Sequence, residues 1–334
     1  MTPRQTPRIL VIRRDNIGDL VCTTPLIHAL RQHFPEGWIG ALVNSYNAPV
    51  LAGNDDLDEV FVYTKAKHRN GGESLAGIFW RRFLMLWRLR RMGLDDVIIA
   101  TPLPLPRMVR LARWLKPKRV IAFGACGADV ELPPADEILH EVEDVFRIAR
   151  LYGIEGPPPS CRVQAPLPRQ TNRLAIHISA RKPSQRWPAE RFVALIQALG
   201  ASQPGLSFRL LWAPGGASDP RHPGDDDKAR TILQDLGPAF PVDPVATQTL
   251  PELIKALAGC DGMICADGGA MHLGAGLGLP IVCLFGDSGT ERWRPWGVPC
   301  RVLQAPSRQV RDISVEEVVE ALNALRADTP APSP

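Results

Sequence analysis

Apolar runs of five to seven residues alternate with helical patterns along almost the whole chain, and they do so twice. In the first half the runs RILVIR (8–13), WIGALVN, EVFVY, DVIIAT and KRVIAF are separated by helical periodicity near 18–33, 74–92, 105–115 and 136–152. Strands that alternate with helices form a parallel sheet covered on its faces. A proline-rich stretch without periodicity, GIEGPPPSCRVQAPLPRQ (153–170), interrupts the pattern and reads as a linker. The alternation then restarts with RLAIHIS, PAERFVALIQALG, SFRLLWA, DDDKARTILQDLG, TLPELIKALAG, DGMICA, GGAMHLGAGLG, PIVCLFG and SVEEVVEALNALR. Helix signals agree with it: Pro188 stands in a first turn, and Thr249 and Glu252 have capping-box spacing. The chain of 334 residues exceeds one domain of ordinary size. Two α/β domains are expected, 1–160 and 161–334, with the last helix (314–327) returning toward the first. Open parallel sheets bind ligands beyond the carboxyl ends of their strands, so a cleft between two such domains is the expected site.

Composition narrows the function. The net charge of +4 is too small to argue for nucleic acid and suits an anionic substrate or a membrane surface. The seven cysteines include no C-x-x-C pair, and no metal site or disulfide framework is indicated. The N-terminus has no seven-residue apolar core of a signal peptide, and no stretch reaches the length of a membrane span, so a reduced cytoplasmic protein is expected. The proline-rich last residues read as a frayed tail.

Three stretches carry candidate chemistry. In ADGGAMHLGAGLGLPIVCLFG (266–286) a strand ends, Asp267, Gly268 and Gly269 form a turn, and a helix containing His272 begins. Glycines at a helix N-terminus let a diphosphate approach backbone amides, and Asp267 would accept hydrogen bonds from sugar hydroxyls. The plainer alternative is a strand–helix turn with Asp267 as its cap and a satisfied buried His272. In RRDNIGDLVCTTPLIHALRQHFP (13–35), Asn16, Gly18 and Asp19 fill the turn after the first strand. Asp19 suits a general base and equally an N-terminal cap. In HISARKPSQRWPAERF (177–192), Arg181, Lys182 and Arg186 cluster before a helix, either to meet a diphosphate leaving group or as a solvated basic loop.

Taken in this order, the three stretches resemble glycosyltransferase family 9, whose best-known members are the ADP-heptose:lipopolysaccharide heptosyltransferases. The residues that carry the likeness are Gly18-Asp19, Thr23-Thr24-Pro25 with Leu26 to Leu30, the R-W-P sequence, Asp267-Gly268-Gly269, His272, Ala275, Pro280 and Phe285-Gly286. The resemblance implies a GT-B fold: two Rossmann-like doubly wound domains facing a central cleft, acceptor on the first and nucleotide sugar on the second. It implies inverting transfer without metal or cofactor, from ADP-heptose to a glycolipid or oligosaccharide acceptor such as lipopolysaccharide core. Asp19 would be the catalytic base and Gly18 would stand beside the acceptor. Asp267 would hold the donor sugar, the Gly268 and Gly269 amides would meet the diphosphate, and His272 would belong to the donor site. Asp225 would meet the ribose and Gln248 the base.

Three departures stand out. Gln185 occupies the position of a phosphate-contacting lysine, leaving Lys182 or Arg186 to supply the charge. Gly268 replaces a threonine. The loop GDSGTERWRPWG replaces the usual G-P-T-D-P. GIFWRRFLMLWRLRRMG (77–93) interleaves aromatics with Arg81, Arg82 and further arginines. The simpler reading is a helix packed on its own sheet with arginines in solvent. The alternative is a grip on a phosphorylated acceptor, or peripheral contact with the inner face of the cytoplasmic membrane. Two further functions stay open: a nucleotide-sugar enzyme that does not transfer, such as an epimerase, and a non-catalytic binding protein. A dinucleotide dehydrogenase is disfavoured, because the first strand leads into RRDNIGD and not G-x-G-x-x-G.

Overall fold

A computed structural model of the chain describes residues 6–63, 75–165, 168–216, 224–238 and 240–328. The expected tail at the C-terminus lies outside them. The chain divides into two compact units, Met1–Gln164 and Ala165–Pro334. Each is built on one six-stranded sheet in which every pairing is parallel.

The first unit contains β1 (Arg8–Ile12), β2 (Trp38–Asn44), β3 (Glu59–Tyr63), β4 (Asp96–Ile99), β5 (Arg119–Phe123) and β6 (Val130–Leu132). Their order in the sheet is β3-β2-β1-β4-β5-β6. The order reverses between β1 and β4, which makes the crevice beyond their carboxyl ends this unit's natural ligand site. Leu10 and Ile12 of β1 share a buried cluster with residues of the helices α3 (Leu75–Arg91) and α4 (Pro106–Trp114). Side chains alternate along a strand, so the equally buried Ile9 and Val11 face the opposite side.

Two helical expectations need correction. The single helix expected over 18–33 is two, α1 (Ile17–Val21) and α2 (Thr24–His33). Pro25 cannot donate a backbone hydrogen bond inside a continuous helix. The Thr23 and Thr24 hydroxyls donate to the Asp19 and Val21 carbonyls at the break. The helix expected from 136 starts later, as α5 (Glu141–Phe146), and tightens into a 3-10 turn over Arg147–Tyr152. His140 sets that start: its Nδ1 accepts from the Val142 amide, and the Glu143 carboxylate accepts from the His140 amide. The α3 helix packs inward through Ile78, Met85, Leu86 and Leu89, while Trp80, Phe83 and Trp87 stay exposed.

The second unit repeats the plan with β7 (Arg173–His177), β8 (Ser207–Trp212), β9 (Val242–Ala246), β10 (Gly262–Ala266), β11 (Ile281–Phe285) and β12 (Cys300–Gln304). The order β12-β11-β10-β7-β8-β9 reverses between β7 and β10. Strand β9 contains Pro244 and takes an edge, where a missing N–H breaks no ladder. Helices α6 (Ala189–Ser202), α7 (Asp226–Leu236) and the final helix, Val315–Asp328, bury apolar faces in one cluster with β7, β8, β10 and β11. Helices α8 (Leu250–Ala258) and α9 (Gly269–Gly276) pack on each other. Gly274 brings α9 against the sheet: a Cβ there would stand 2.7 Å from the Met263 sulfur. Between α9 and the final helix lies the short α10 (Thr290–Trp293), and the final helix is α11.

His177 closes β7 and is buried, and that burial, with the nearby Lys228 charge adding to it, lowers its pKa to about 4. In the unfolded chain the imidazole titrates near 6.5, so the stability it allows is whole above that pH and is lost as pH falls toward 4. Between pH 7 and pH 5 the wild type is expected to lose about 2 kcal/mol through this group. A His177→Gln variant should lose correspondingly less over the same interval in urea unfolding. Parallel pH curves for the two proteins would remove His177 as the cause.

Candidate active site

In the first unit the site begins where β1 runs out. Asp19 sits in α1 and is almost fully buried. One carboxylate oxygen accepts from the Asn16 amide at 2.7 Å, and the other lies 3.1 Å from a guanidinium nitrogen of Arg13. Arg13 is only 2 % exposed, so its charge must be met inside the protein. The same nitrogen donates to Glu141 at 2.6 Å, and its neighbour donates to the Ala100 carbonyl. Asp15 stands 3.1 Å from Nε as an ion contact without hydrogen-bond alignment. Burial alone would lower the Arg13 pKa, but Glu141, then Asp19 and Asp15, outweigh it and raise the value. One cation thus orders three carboxylates: Asp15 in the turn after β1, Asp19 in α1 and Glu141 at the start of α5.

Beside this cluster a cavity of about 160 Å³ opens between the ends of β1 and β4, lined by Arg14, Asp15, Thr101, Leu105 and Met108 among others. The Thr101 hydroxyl donates to Asp15 at 2.7 Å. Arg14 lies over the Tyr63 ring at 3.5 Å and Arg82 over the same ring at 4.0 Å. Burial is the main cause that lowers the Arg14 pKa, and the Arg82 charge adds to it. Of the two arginines expected near an acceptor, Arg82 is therefore brought toward this cavity, while Arg81 is exposed on α3. Gly18 is buried in α1 one residue before Asp19.

In the second unit the corresponding crevice lies beyond β7 and β10. Asp267 follows β10, and its amide donates to the Leu284 carbonyl. Its Oδ2 accepts from Gln185 at 2.7 Å, and Gln185 also donates to the Ser288 hydroxyl at 3.1 Å. Lys182 and the Ser184 hydroxyl both reach Asp287, at 3.1 and 2.9 Å, and together hold its carboxyl below the usual range. Gly286 makes this meeting of loops possible, since a Cβ there would lie 2.5 Å from the Ser184 carbonyl oxygen. Gln185 and the altered 286–297 loop are thus one hydrogen-bonded unit. Lys182 is directed to Asp287, and Arg186 donates to the Ala180 carbonyl.

Gly268 has φ 154° and ψ −173°, a region open essentially to glycine, and it starts α9 at Gly269. A Cβ at Gly268 would meet nothing within 4 Å, so backbone conformation and not crowding favours glycine there. His272 is buried in α9, edge-on to Trp293 with ring centres 6.0 Å apart. Asp225 precedes α7 and is 6 % exposed, and its Oδ2 has no hydrogen-bond partner among the described residues. Lys228 nearby donates to the Ile178 carbonyl, and burial brings it down to about 8 against the opposing pull of Asp225. Gln248 is exposed, and its amide donates to Glu252 at 2.9 Å. Among the described residues no group of three or more His, Cys, Asp or Glu side chains is arranged to hold a metal ion.

Residues 160–321 match the family model of glycosyltransferase family 9 (heptosyltransferase). Lipopolysaccharide heptosyltransferase 3 of Escherichia coli is 23 % identical over 305 residues, covering 84 % of this chain and 83 % of that protein. The family match covers almost the whole of the second unit, and the alignment to the heptosyltransferase runs through both units. The chain is accordingly a glycosyltransferase. Two solved structures share the fold. The family 9 glycosyltransferase from Veillonella parvula superposes with a TM-score of 0.80 at 19 % identity, covering 97 % of this chain and 98 % of that one. E. coli heptosyltransferase WaaC with ADP superposes with a TM-score of 0.80 at 19 % identity, covering 95 % and 99 %. The fold of the chain is therefore GT-B, with two Rossmann-like units.

Three residues of this candidate site are not among the sequence candidates: Arg13, Asp15 and Glu141. The first two stand in the RRDNIGD turn, but nothing local marks Arg13 as buried. Glu141 is 128 residues from Arg13 and reads as an ordinary first-turn acid of a helix. Replacing Glu141 with Gln leaves Arg13 its contacts to Asp15 and Asp19. The variant should lose roughly 2–3 kcal/mol of unfolding free energy, less than the ~3–5 kcal/mol of a buried ion stripped of its partner. Urea denaturation measures it, and an unchanged midpoint and slope would mean that the pair contributes nothing net.

Proposed function

We propose that this protein is an inverting, metal-independent glycosyltransferase that moves heptose from ADP-heptose to a lipopolysaccharide core or related surface-glycan acceptor. The observation that carries the reading is the placement of two carboxylates. Asp19 and Asp267 each stand just past a strand's carboxyl end at the strand-order reversal of their own unit. The curated relative named as a lipopolysaccharide heptosyltransferase supports the donor and acceptor classes. The first unit is assigned to the acceptor and the second to the nucleotide sugar, both on the cytoplasmic side.

In this mechanism Asp19 takes the proton of an acceptor hydroxyl as that oxygen attacks the anomeric carbon. The new carbon–oxygen bond forms on the face opposite the diphosphate. The old bond breaks, its electron pair leaves with ADP, and the configuration inverts. Arg13 and the Asn16 amide hold the carboxylate in one orientation, which a base needs before it can act. Asp267, fixed by Gln185, accepts from donor sugar hydroxyls. The amides of Gly268 and Gly269 at the α9 N-terminus meet the diphosphate. The unsatisfied Oδ2 of Asp225 suits a ribose hydroxyl, the donor it lacks. Gln248 is placed at the base, with Lys182 and Arg186 supplying nearby positive charge. Gln185 carries no charge, so its part is to position Asp267.

A different donor sugar is the second reading, favoured by the bonded unit of Gln185, Ser288, Asp287 and Lys182 where the family pattern has other residues. Thermal shift with a panel of nucleotide sugars separates the two. A ligand at about 100 times its dissociation constant adds roughly 2.7 kcal/mol to stability. ADP-heptose should raise the melting temperature while UDP-, GDP- and CMP-sugars do not, and Asp225→Ala should abolish the ADP response. A response to another nucleotide sugar alone keeps the transferase and removes heptose.

Asp19→Asn should lower turnover by about 10²–10⁴-fold, the range for loss of a general base, with ADP affinity unchanged. An ADP-release assay beside calorimetry reads both quantities. Near-normal turnover would remove Asp19 from the chemistry.

A further inference from the structure

The α3 helix carries more apolar side chain than its sheet can use. A helix packed on one face needs a single apolar stripe. In α3 that stripe is Met85, Leu86 and Leu89, which meet the core of the first unit, together with the buried Ile78. A second stripe points outward. Trp80, Phe83 and Trp87 are 61, 43 and 41 % exposed, and they continue to Trp114 at the end of α4. Successive ring centres along this row are 5.7, 5.8 and 6.5 Å apart, so it is one contiguous surface.

Charge surrounds the row. Helix α3 contains five arginines and α4 three, and neither contains an acid. Arg91 lies 5.6 Å from the Trp87 ring and Arg90 lies 4.9 Å from the Trp114 ring. Rings in the middle with guanidinium groups at their edges is the arrangement of a helix lying in a bilayer interface. The apolar edge enters the acyl boundary and the arginines meet anionic headgroups. Among the described residues no helix is long and apolar enough to cross a membrane, so contact would be lateral.

We propose that the outer face of α3, continued by Trp114, docks the protein on a bilayer that carries anionic headgroups. Glu59 meets Arg88 and Asp129 meets Arg113, and the arginines in excess of these two acids keep the face positive. Charge selects this occupant over a second copy of the chain, which would bring the same positive excess against itself. The aromatic row sets the depth of contact, and the arginines set the preference for negative lipid. The inference stands on this surface alone and does not depend on the role of Asp19.

Co-sedimentation of the full chain with two kinds of vesicle tests it. Equimolar phosphatidylglycerol and phosphatidylcholine should pull the protein down at low salt, and phosphatidylcholine alone should do so at least roughly tenfold less well. High salt should release it. The double variants Trp80→Ser/Trp87→Ser and Arg91→Glu/Arg110→Glu should each weaken binding by roughly tenfold or more. All four side chains are exposed, and unchanged melting temperatures will show that both variants remain folded. Failure of the wild type to sediment with the mixed vesicles overturns the proposal. So does equal sedimentation with both vesicles, or wild-type binding by both variants. A dimer that the tryptophan variant breaks apart, without vesicle binding, overturns it in favour of self-association.

Discussion

Every strand in both units runs parallel to its neighbours, and the placement of the chemistry depends on that constraint. Parallel strands collect their carboxyl ends on one edge of a sheet, and the reversal of strand order opens a crevice at that edge. In the first unit the reversal between β1 and β4 gathers Arg13, Asp15, Asp19 and Thr101. In the second it places Asp267 past β10 and the 178–186 loop past β7. Residues far apart in the chain become neighbours because each follows a strand at the same edge.

The two crevices solve their electrostatics differently. The first buries a guanidinium and surrounds it with carboxylates, so Asp19 is held by charge as well as by a backbone amide. The second holds Asp267 with a neutral amide, and the cation that could have stood there, Lys182, is turned toward Asp287. A carboxylate gripped by a neutral donor keeps its charge exposed to whatever hydroxyl or cation arrives. Gln185 and the 286–297 loop both differ from the family pattern, and they are bonded to each other through the Ser288 hydroxyl.

Much of this was legible from pattern. The strand runs, the two halves, the turn carrying Asp19 and the turn carrying Asp267 all follow from alternation, glycine placement and family motif. Strands β9 and β12 escaped notice because they lie at sheet edges, where side chains are half exposed and the apolar run is short or broken by Pro244. The break between α1 and α2 was written in Pro25 but masked by continuous apolar periodicity. For α3 the simpler sequence reading held for the inward stripe and missed the outward one. Periodicity counts apolar positions without saying how many of them the sheet can cover.

By itself the sequence determined the alternating plan, its repetition and the residue types at the strand ends. These are local properties, set by side-chain period, turn chemistry and backbone freedom. Only the tertiary structure decided which of those residues meet. Glu141 reaches Arg13 across the sheet edge, Gln185 takes Asp267, and Trp114 extends the row that begins on α3. The physical reason is that a contact between distant residues depends on strand order and on how each helix lies over its sheet, and neither is encoded within any short window of the chain.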